Sequence, residues 1–331
     1  MGYPCGPGNE VRSMYTVYKS NVKYPISGRI PARRRAVPRG FPGGTSALPG
    51  AAGCGTVYRP DHSPAGGAAM NRVVHSTVPY PMLSEEGTLA ALVEAGVGPE
   101  IYFSGATLDR LLPGEAERSA EALRAAGIRT LSFHAPFRDV WPGAQDEEAR
   151  RLSVRRMRQA IALAPVFRPE GIVVHGGYFG WLFDFHAEEW LASAARSFGE
   201  LAEAAEKAGT ELFVENVFDE IPDHLLRLRE AVGSPRLHFC FDPGHANLFS
   251  RLPVHQWAKA FGKEIRLMHV HDNRGRRDDH LPVGEGTINF RGVLLAVGDA
   301  GARPILTLEP HRKEHFPRGV VGLREILSTI P

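Results

Sequence analysis

The sequence predicts an α/β protein: a single (β/α)8 (TIM) barrel over residues 70–331, preceded by a disordered N-terminal extension over residues 1–69. Three observations predict it. Eight short apolar runs rich in β-branched and aromatic residues alternate with eight longer amphipathic stretches, the size and order of such a barrel. The first run leads into His75-Ser-Thr-Val-Pro-Tyr-Pro81, not the glycine-rich phosphate loop usual in an open doubly wound sheet. Ligand-type side chains end six successive runs, where parallel closure gathers them at one mouth.

The extension stands apart in composition. Residues 1–69 hold 12 Gly and 9 Pro, show no sustained period of 2 or 3.6, and cannot bury enough apolar surface to offset ordering entropy. They carry nine Lys/Arg against two acids, whereas residues 70–331 carry 30 Lys/Arg against 35 Asp/Glu. Met1-Gly-Tyr-Pro-Cys-Gly-Pro lacks the basic and apolar regions of a secretory signal. A disordered tail, an Arg-rich transit-like segment and upstream sequence read from an early start codon all remain open. Met70, immediately before the first patterned run, favours the last.

From there the elements follow in order. The strand-like runs are Val73–Thr77, Ile101–Ser104, Thr130–His134, Gly171–His175, Glu211–Asn216, Leu237–Asp242, Ile265–His271 and Pro304–Glu309. The helix-like stretches are Ser84–Ala95, Gly114–Ala126, Glu147–Phe167, Ala187–Ala208, Asp223–Val232, Pro253–Phe261, Phe290–Ala300 and Val320–Thr329. Ser84 reads as an N-cap with acids behind it, and Pro253 as a first-turn residue. Gly127, Gly209 and Gly301 stand where a left-handed residue ends a helix. Arg150-Arg151 and Arg155-Arg156 share one helix and read as a solvated face.

Strand three ends at His134, strand four at His175, strand five at Glu215-Asn216 and strand six at Asp242, with His245 three residues on. Strand seven supplies His269 and His271, strand eight Glu309, and Asp278, Asp279 and His280 follow strand seven. Any one of these has a bland reading, as a hydrogen-bonded core histidine or a turn aspartate. Together, buried carboxylates and imidazoles are costly unless a cation neutralises and coordinates them, and this donor set suits Zn²⁺, Mn²⁺ or Fe²⁺ better than a soft cation, with Zn²⁺ or Mn²⁺ the expected ion.

These motifs resemble the xylose-isomerase-like barrel superfamily, which includes sugar phosphate isomerases/epimerases and apurinic endonuclease family 2. The resemblance rests on His134-Ala-Pro-Phe, Val-Val-His175, Glu215-Asn216, Asp242-Pro-Gly-His245, His269-Val-His-Asp-Asn-Arg-Gly, Asp278-Asp-His280-Leu-Pro-Val-Gly-Glu-Gly and Leu-Glu309. The isomerase branch implies one divalent metal on Glu215, Asp242, His269 and Glu309, with Glu215 and Glu309 moving the carbon-bound proton. It implies that His245 binds a substrate oxygen and that His134 and His175 line the pocket. The endonuclease branch implies up to three zinc ions: one on His134, His175 and Glu215, a second on Glu215, Asp242, His269 and Glu309, and a third on His245, Asp278 and His280.

The expectation is therefore a divalent-metal sugar or sugar-phosphate isomerase/epimerase, with a zinc phosphodiester hydrolase of the apurinic endonuclease type as the alternative. The partner is a small sugar or phosphoester. The acidic barrel and the loop Pro136-Phe-Arg-Asp-Val-Trp-Pro-Gly143 disfavour duplex DNA. The aromatic loop after strand four offers Tyr178 and Trp181 as substrate-stacking or simply packing residues. No apolar run approaches the roughly 20 residues of a membrane span, and three Cys form no disulfide framework, so the expected location is the cytoplasm.

Overall fold

The computed structural model describes residues 72–183 and 186–331. The expectation for residues 1–69 lies outside them. Eight parallel strands close into a barrel in chain order: β1 Val74–Pro79, β2 Gly98–Tyr102, β3 Ser132–His134, β4 Ile172–His175, β5 Leu212–Glu215, β6 Leu237–Phe241, β7 Ile265–Val270 and β8 Ile305–Leu308. β8 returns to β1 through Val74↔Leu306 and Ser76↔Leu308, which closes the ring. The helices are α1 Thr88–Glu94, α2 Gly105–Arg110, α3 Glu115–Ala125, α4 Glu147–Ile161, α5 Ala164–Phe167, α6 Ala187–Ala208, α7 Asp223–Val232, α8 Pro243–Phe249, α9 Val254–Phe261, α10 Phe290–Asp299 and α11 His315–Ser328.

The core has two parts. A small one inside the barrel joins Val173, Phe213, Cys240 and Leu267, with Ile305 against it. A larger one fills the space between strands and helices, where Ile101, Phe133, Phe239 and Trp257 are fully or almost fully buried. Successive strand residues point to opposite faces. Two positions beyond each inner apolar residue therefore lies another inward one: His175 follows Val173, Glu215 follows Phe213, Asp242 follows Cys240 and His269 follows Leu267. That alternation raises the polar groups as a layer above the apolar plug.

Several boundaries differ from the sequence expectation, each for a local reason. Ser84 ends a short 3-10 turn rather than capping a helix; α1 starts at Thr88 behind Gly87, whose φ is +82°. β2 begins at Gly98, three residues before the expected Ile101, because Gly98 and Pro99 pair with His75 and Ser76 of β1; a side chain at 98 would press within 2.3 Å of the Thr130 carbonyl, so only glycine fits this close approach. The stretch 147–167 breaks into α4 and α5, since Pro165 has no N–H and its ring would strike the carbonyl of residue 161. Pro253 is the N-cap of α9, one place outside the first turn, and α11 starts five residues early despite Pro317 and Gly319. Two helices, α2 and α8, lack an apolar period long enough to read.

Arg150 is a further correction. It is 6% exposed, with its guanidinium bonded to Glu147, to Ser197 Oγ (3.2 Å) and to Glu200 (2.8 Å). It ties α4 to α6 instead of facing solvent, while Arg151 and Arg155 remain exposed.

Candidate functional site

The mouth is assembled from strand ends and their first turns. β5 and β6 are tied by Asn216, whose Nδ2 donates to the Asp242 carbonyl and whose Oδ1 accepts from the Asp242 N–H, both at 2.8 Å. Asp242 then caps α8: its Oδ1 accepts the His245 N–H at 2.9 Å, and Pro243 occupies the first turn. One turn of helix thus brings His245 back over the carboxylate that caps it. Gly244 is required here, because a Cβ would lie 2.3 Å from His271 Cε1.

The polar layer converges on Glu215. Its Oε2 lies 3.4 Å from His134 Nε2 and 3.1 Å from His175 Nε2, and its Oε1 lies 3.1 Å from His245 Nδ1 and 3.3 Å from His269 Nδ1. His269 Nδ1 is also 3.6 Å from Glu309 Oε2 and 3.8 Å from Asp242 Oδ2. On the other side of the mouth Asp278 Oδ2 lies 3.0 Å from His280 Nε2 and 3.6 Å from His245 Nε2. All nine ligand-type residues singled out in the sequence therefore meet in one group. Tyr178 and Trp181 do not join it among the described contacts: Tyr178 is buried against Trp190 and His224, and Trp181 is 57% exposed beside Phe179.

The geometry fits a cation. Bonds of about 2.0–2.1 Å in a tetrahedral arrangement put neighbouring donors roughly 3.3–3.4 Å apart, the spacing around Glu215. Glu215 Oε2, His175 Nε2 and His269 Nδ1 are buried, close to one another's partners, and yet make no hydrogen bond. Close approach without hydrogen-bond geometry is what donors aimed at a shared ion show. The electrostatics agree. Burial pushes the Glu215 carboxyl up, but His269 and His175 overcome it and hold it well below the usual range. Burial likewise opposes a charged His245, and Asp242, Asp278 and Glu215 outweigh it, holding that imidazole well above its ordinary value. The site favours positive charge, of the kind a bound divalent ion would supply.

Behind the layer sits a residue that sequence reading missed. Glu100 on β2 is fully buried, and its carboxylate accepts from Ser132 Oγ at 3.1 Å and Thr307 Oγ1 at 3.2 Å and lies 3.1 Å from His269 Nε2. Its signal was the register: once β2 is extended to Gly98, Glu100 falls on the inward face. His75 joins the same interior, with Nδ1 2.9 Å from Ser132 Oγ.

Residues 89–327 match the family described as xylose isomerase-like TIM barrel. The chain is 35% identical over 208 residues to the uncharacterized protein MJ1311 of Methanocaldococcus jannaschii, spanning 60% of this chain and 71% of that one. Among solved structures it is similar to a D-tagatose 3-epimerase-like protein, at 26% identity and TM-score 0.67 over 78% of this chain and 98% of that one. It is also similar to the TTHB071 protein from Thermus thermophilus, in a form soaked with ZnCl2, at 25% identity and TM-score 0.63 over 77% and 96% of the two chains.

Proposed function

The chain belongs to the xylose isomerase-like TIM barrel family, and from that membership and the geometry of its mouth we propose that it is a divalent-metal-dependent sugar or sugar-phosphate isomerase/epimerase. The observation that carries the reading is the pair of carboxylates, Glu215 and Glu309, that reach His269 Nδ1 at 3.3 and 3.6 Å from different strands, with Asp242 as the third acid. The likeness to a D-tagatose 3-epimerase-like protein supports it.

Glu215, Asp242, His269 and Glu309 would hold the ion, Zn²⁺ or Mn²⁺. A bound divalent cation supplies Lewis acidity, drawing electron density from substrate oxygens and making a neighbouring C–H more acidic. The chain's own groups do the rest. One of Glu215 and Glu309 removes the carbon-bound proton and the other returns one; return on the opposite face inverts the centre, and return to the adjacent carbon isomerises the sugar. His245 donates to a substrate oxygen. His134, buried, and His175, half-buried, wall the pocket beside Glu215 and limit the access of bulk water to the exchanging proton.

A second reading, a zinc-dependent phosphodiester hydrolase, is favoured by one observation: Asp278 and His280 meet His245 beside the principal group, offering donors for further ions. The excess of acidic over basic residues in 70–331 argues for a small phosphoester over duplex DNA. No helix among the described residues is long and apolar enough to cross a membrane. The cytoplasmic location is part of the proposal and rests on the cysteine usage.

The test is carried out on the full chain loaded with Mn²⁺ or Zn²⁺ in D2O, with ketohexoses and their phosphates followed by NMR. Isomerase chemistry gives deuterium on a substrate carbon and a new sugar, and Glu215→Gln abolishes both. Hydrolysis of a phosphodiester with three tightly held zinc ions and no carbon exchange would replace the first reading with the second. Full turnover by Glu215→Gln would refute both.

A further inference from the structure

Four aromatic side chains on the rim of the mouth belong neither to the polar group around Glu215 nor to the core. Phe179 and Trp181 come from the loop after β4, Phe218 from the loop after β5 and Phe249 from the end of α8. Phe183, on the same turn as Trp181, packs against the barrel core, whereas these four stand outside both core clusters and meet one another. Trp181 meets Phe179 at 5.0 Å between ring centroids, Phe179 meets Phe218 at 4.8 Å, and Phe218 meets Phe249 at 5.1 Å. The inner end of this row reaches the site, with the Phe249 ring 6.4 Å from that of His245.

The row is not sealed from water. Its three phenylalanines are half-buried and Trp181 is 57% exposed. A contiguous apolar strip left wet on a protein surface, with polar groups beside it, marks a binding surface. The polar groups are present on the same loops. Glu220 follows Phe218 by two residues and Arg251 follows Phe249 by two; the two side chains are ion-paired, and the Arg251 N–H donates to the Glu220 carbonyl at 3.0 Å. That tie fixes the spacing of the two loops and so of the rings they carry.

The chemistry of the row selects its occupant. Aromatic faces bordered by a carboxylate and a guanidinium suit a ring that is apolar on its faces and carries hydroxyls at its edge. A sugar ring is such a group, and an alkyl chain would leave the charged border unused. A single sugar held at His245 does not extend to Trp181, which stands four ring contacts away. Resting on the reading that this mouth acts on a sugar, we propose that Phe249, Phe218, Phe179 and Trp181 form a subsite for a second saccharide ring, which makes the substrate class an oligosaccharide whose reducing-end unit reacts. Isomerisation through an open chain needs a free anomeric carbon on the reacting unit, so the second ring is joined through one of that unit's other hydroxyls.

The test uses the full chain loaded with Mn²⁺ and three probes: D-fructose, maltulose and isomaltulose, the last two being disaccharides that keep a free fructose unit. In saturation-transfer NMR the glucosyl protons of a bound disaccharide are expected to receive saturation. By calorimetry at least one disaccharide should bind at least ~10-fold more tightly than D-fructose, and Trp181→Ala should bring that ratio to within about 3-fold. Leu112→Ala, which removes another exposed apolar side chain between α2 and α3, should keep the wild-type ratio. Disaccharides bound no more tightly than D-fructose, or glucosyl protons without saturation in the wild type, would overturn the subsite whatever the variants do. A ratio unmoved by Trp181→Ala would overturn it too, and if that variant also lost self-association on gel filtration, the row would belong to a contact with a second copy of the chain. None of these results touches carbon exchange on a free ketohexose, so the isomerase reading stands or falls separately.

Discussion

Glu100 Oε1 lies 3.1 Å from His269 Nε2, across the barrel interior and 169 positions away in sequence. Both side chains are fully buried. The carboxylate fixes the tautomer, so that His269 presents Nδ1 to Glu215, Asp242 and Glu309, and it raises the basicity of that nitrogen. Glu100→Gln keeps the shape but removes the charge. It is expected to lower affinity for the principal metal by about 10–100-fold, with little change in the thermal melt of the metal-free protein. Competition against a chromophoric chelator measures it, and unchanged affinity would show that Glu100 is only structural filling.

Gly244 links two parts of the site through the space it leaves open. In Gly244→Ala the new Cβ meets His271 Cε1 at 2.3 Å and Nε2 at 2.7 Å. The ring is fully enclosed, so it must move and break its bond to Asp242. The expected cost is about 1–3 kcal/mol in urea unfolding, together with weaker metal binding. Wild-type stability and metal content in this variant would mean that the loop yields more easily than its packing implies.

Much of this was legible along the chain because the period of a strand is short. Val173-Val-His175, Phe213-Val-Glu215 and Leu267-Met-His269 each state an inward apolar residue followed by an inward ligand two places later. What escaped reading depends on neighbours far away. Glu100 lay hidden because the apolar run starts only at Ile101, and what carries the strand back to Gly98 is pairing with His75 and Ser76 of β1. His271 was visible as a histidine, but its approach to Asp278, 3.8 Å between Nδ1 and Oδ1, is made by a loop and a glycine on another element. Arg150 looked solvated because its partners Ser197 and Glu200 stand on α6, about fifty positions further on.

Arg150 also yields a prediction about stability. Its guanidinium is covered, but Glu147 and Glu200 keep side-chain exposures of 39% and 44%, so solvent screens both pairs. The larger contribution is packing of the aliphatic stem and the bond to Ser197 between α4 and α6. Arg150→Ala is expected to cost about 1–2 kcal/mol, whereas Arg155→Ala, on the exposed side of the same helix, should change stability by less than about 0.5 kcal/mol. Equal effects from the two in urea denaturation would return Arg150 to the surface.

The pH dependence of folding should hide two opposed contributions. His75 is fully buried, and burial, opposed by Glu100, lowers its imidazole to about 4 from 6.5. Between these values the unfolded chain binds the proton more readily than the native one, so stability is present above about 6.5 and is lost as pH falls toward 4. From pH 8 to pH 5 the loss amounts to about 2 kcal/mol. Asp219 acts in the other direction. Burial raises its carboxyl to about 7 from 3.8, and Oδ1 makes no hydrogen bond, His224 Nδ1 standing 4.0 Å away, so the native state holds a proton that the unfolded chain releases, and stability falls as pH rises from 3.8 through 7. Asp219→Asn keeps an oxygen that can accept the Val217 N–H, made at 3.2 Å in the wild type, and should stabilise the metal-free protein by about 1–3 kcal/mol at pH 8, with no gain at pH 4. Other imidazoles, His245 among them, are held above their ordinary value and gain stability as pH falls, so His75 is read by difference: adding His75→Gln to Asp219→Asn should shift the stability change between pH 8 and pH 5 in favour of the acid side by about 2 kcal/mol, whatever it costs at pH 8. Urea unfolding of wild type, Asp219→Asn and the double variant across this range checks both signs; an Asp219→Asn protein no more stable than wild type at pH 8 would show that the carboxyl is ionised and partnered in the native state.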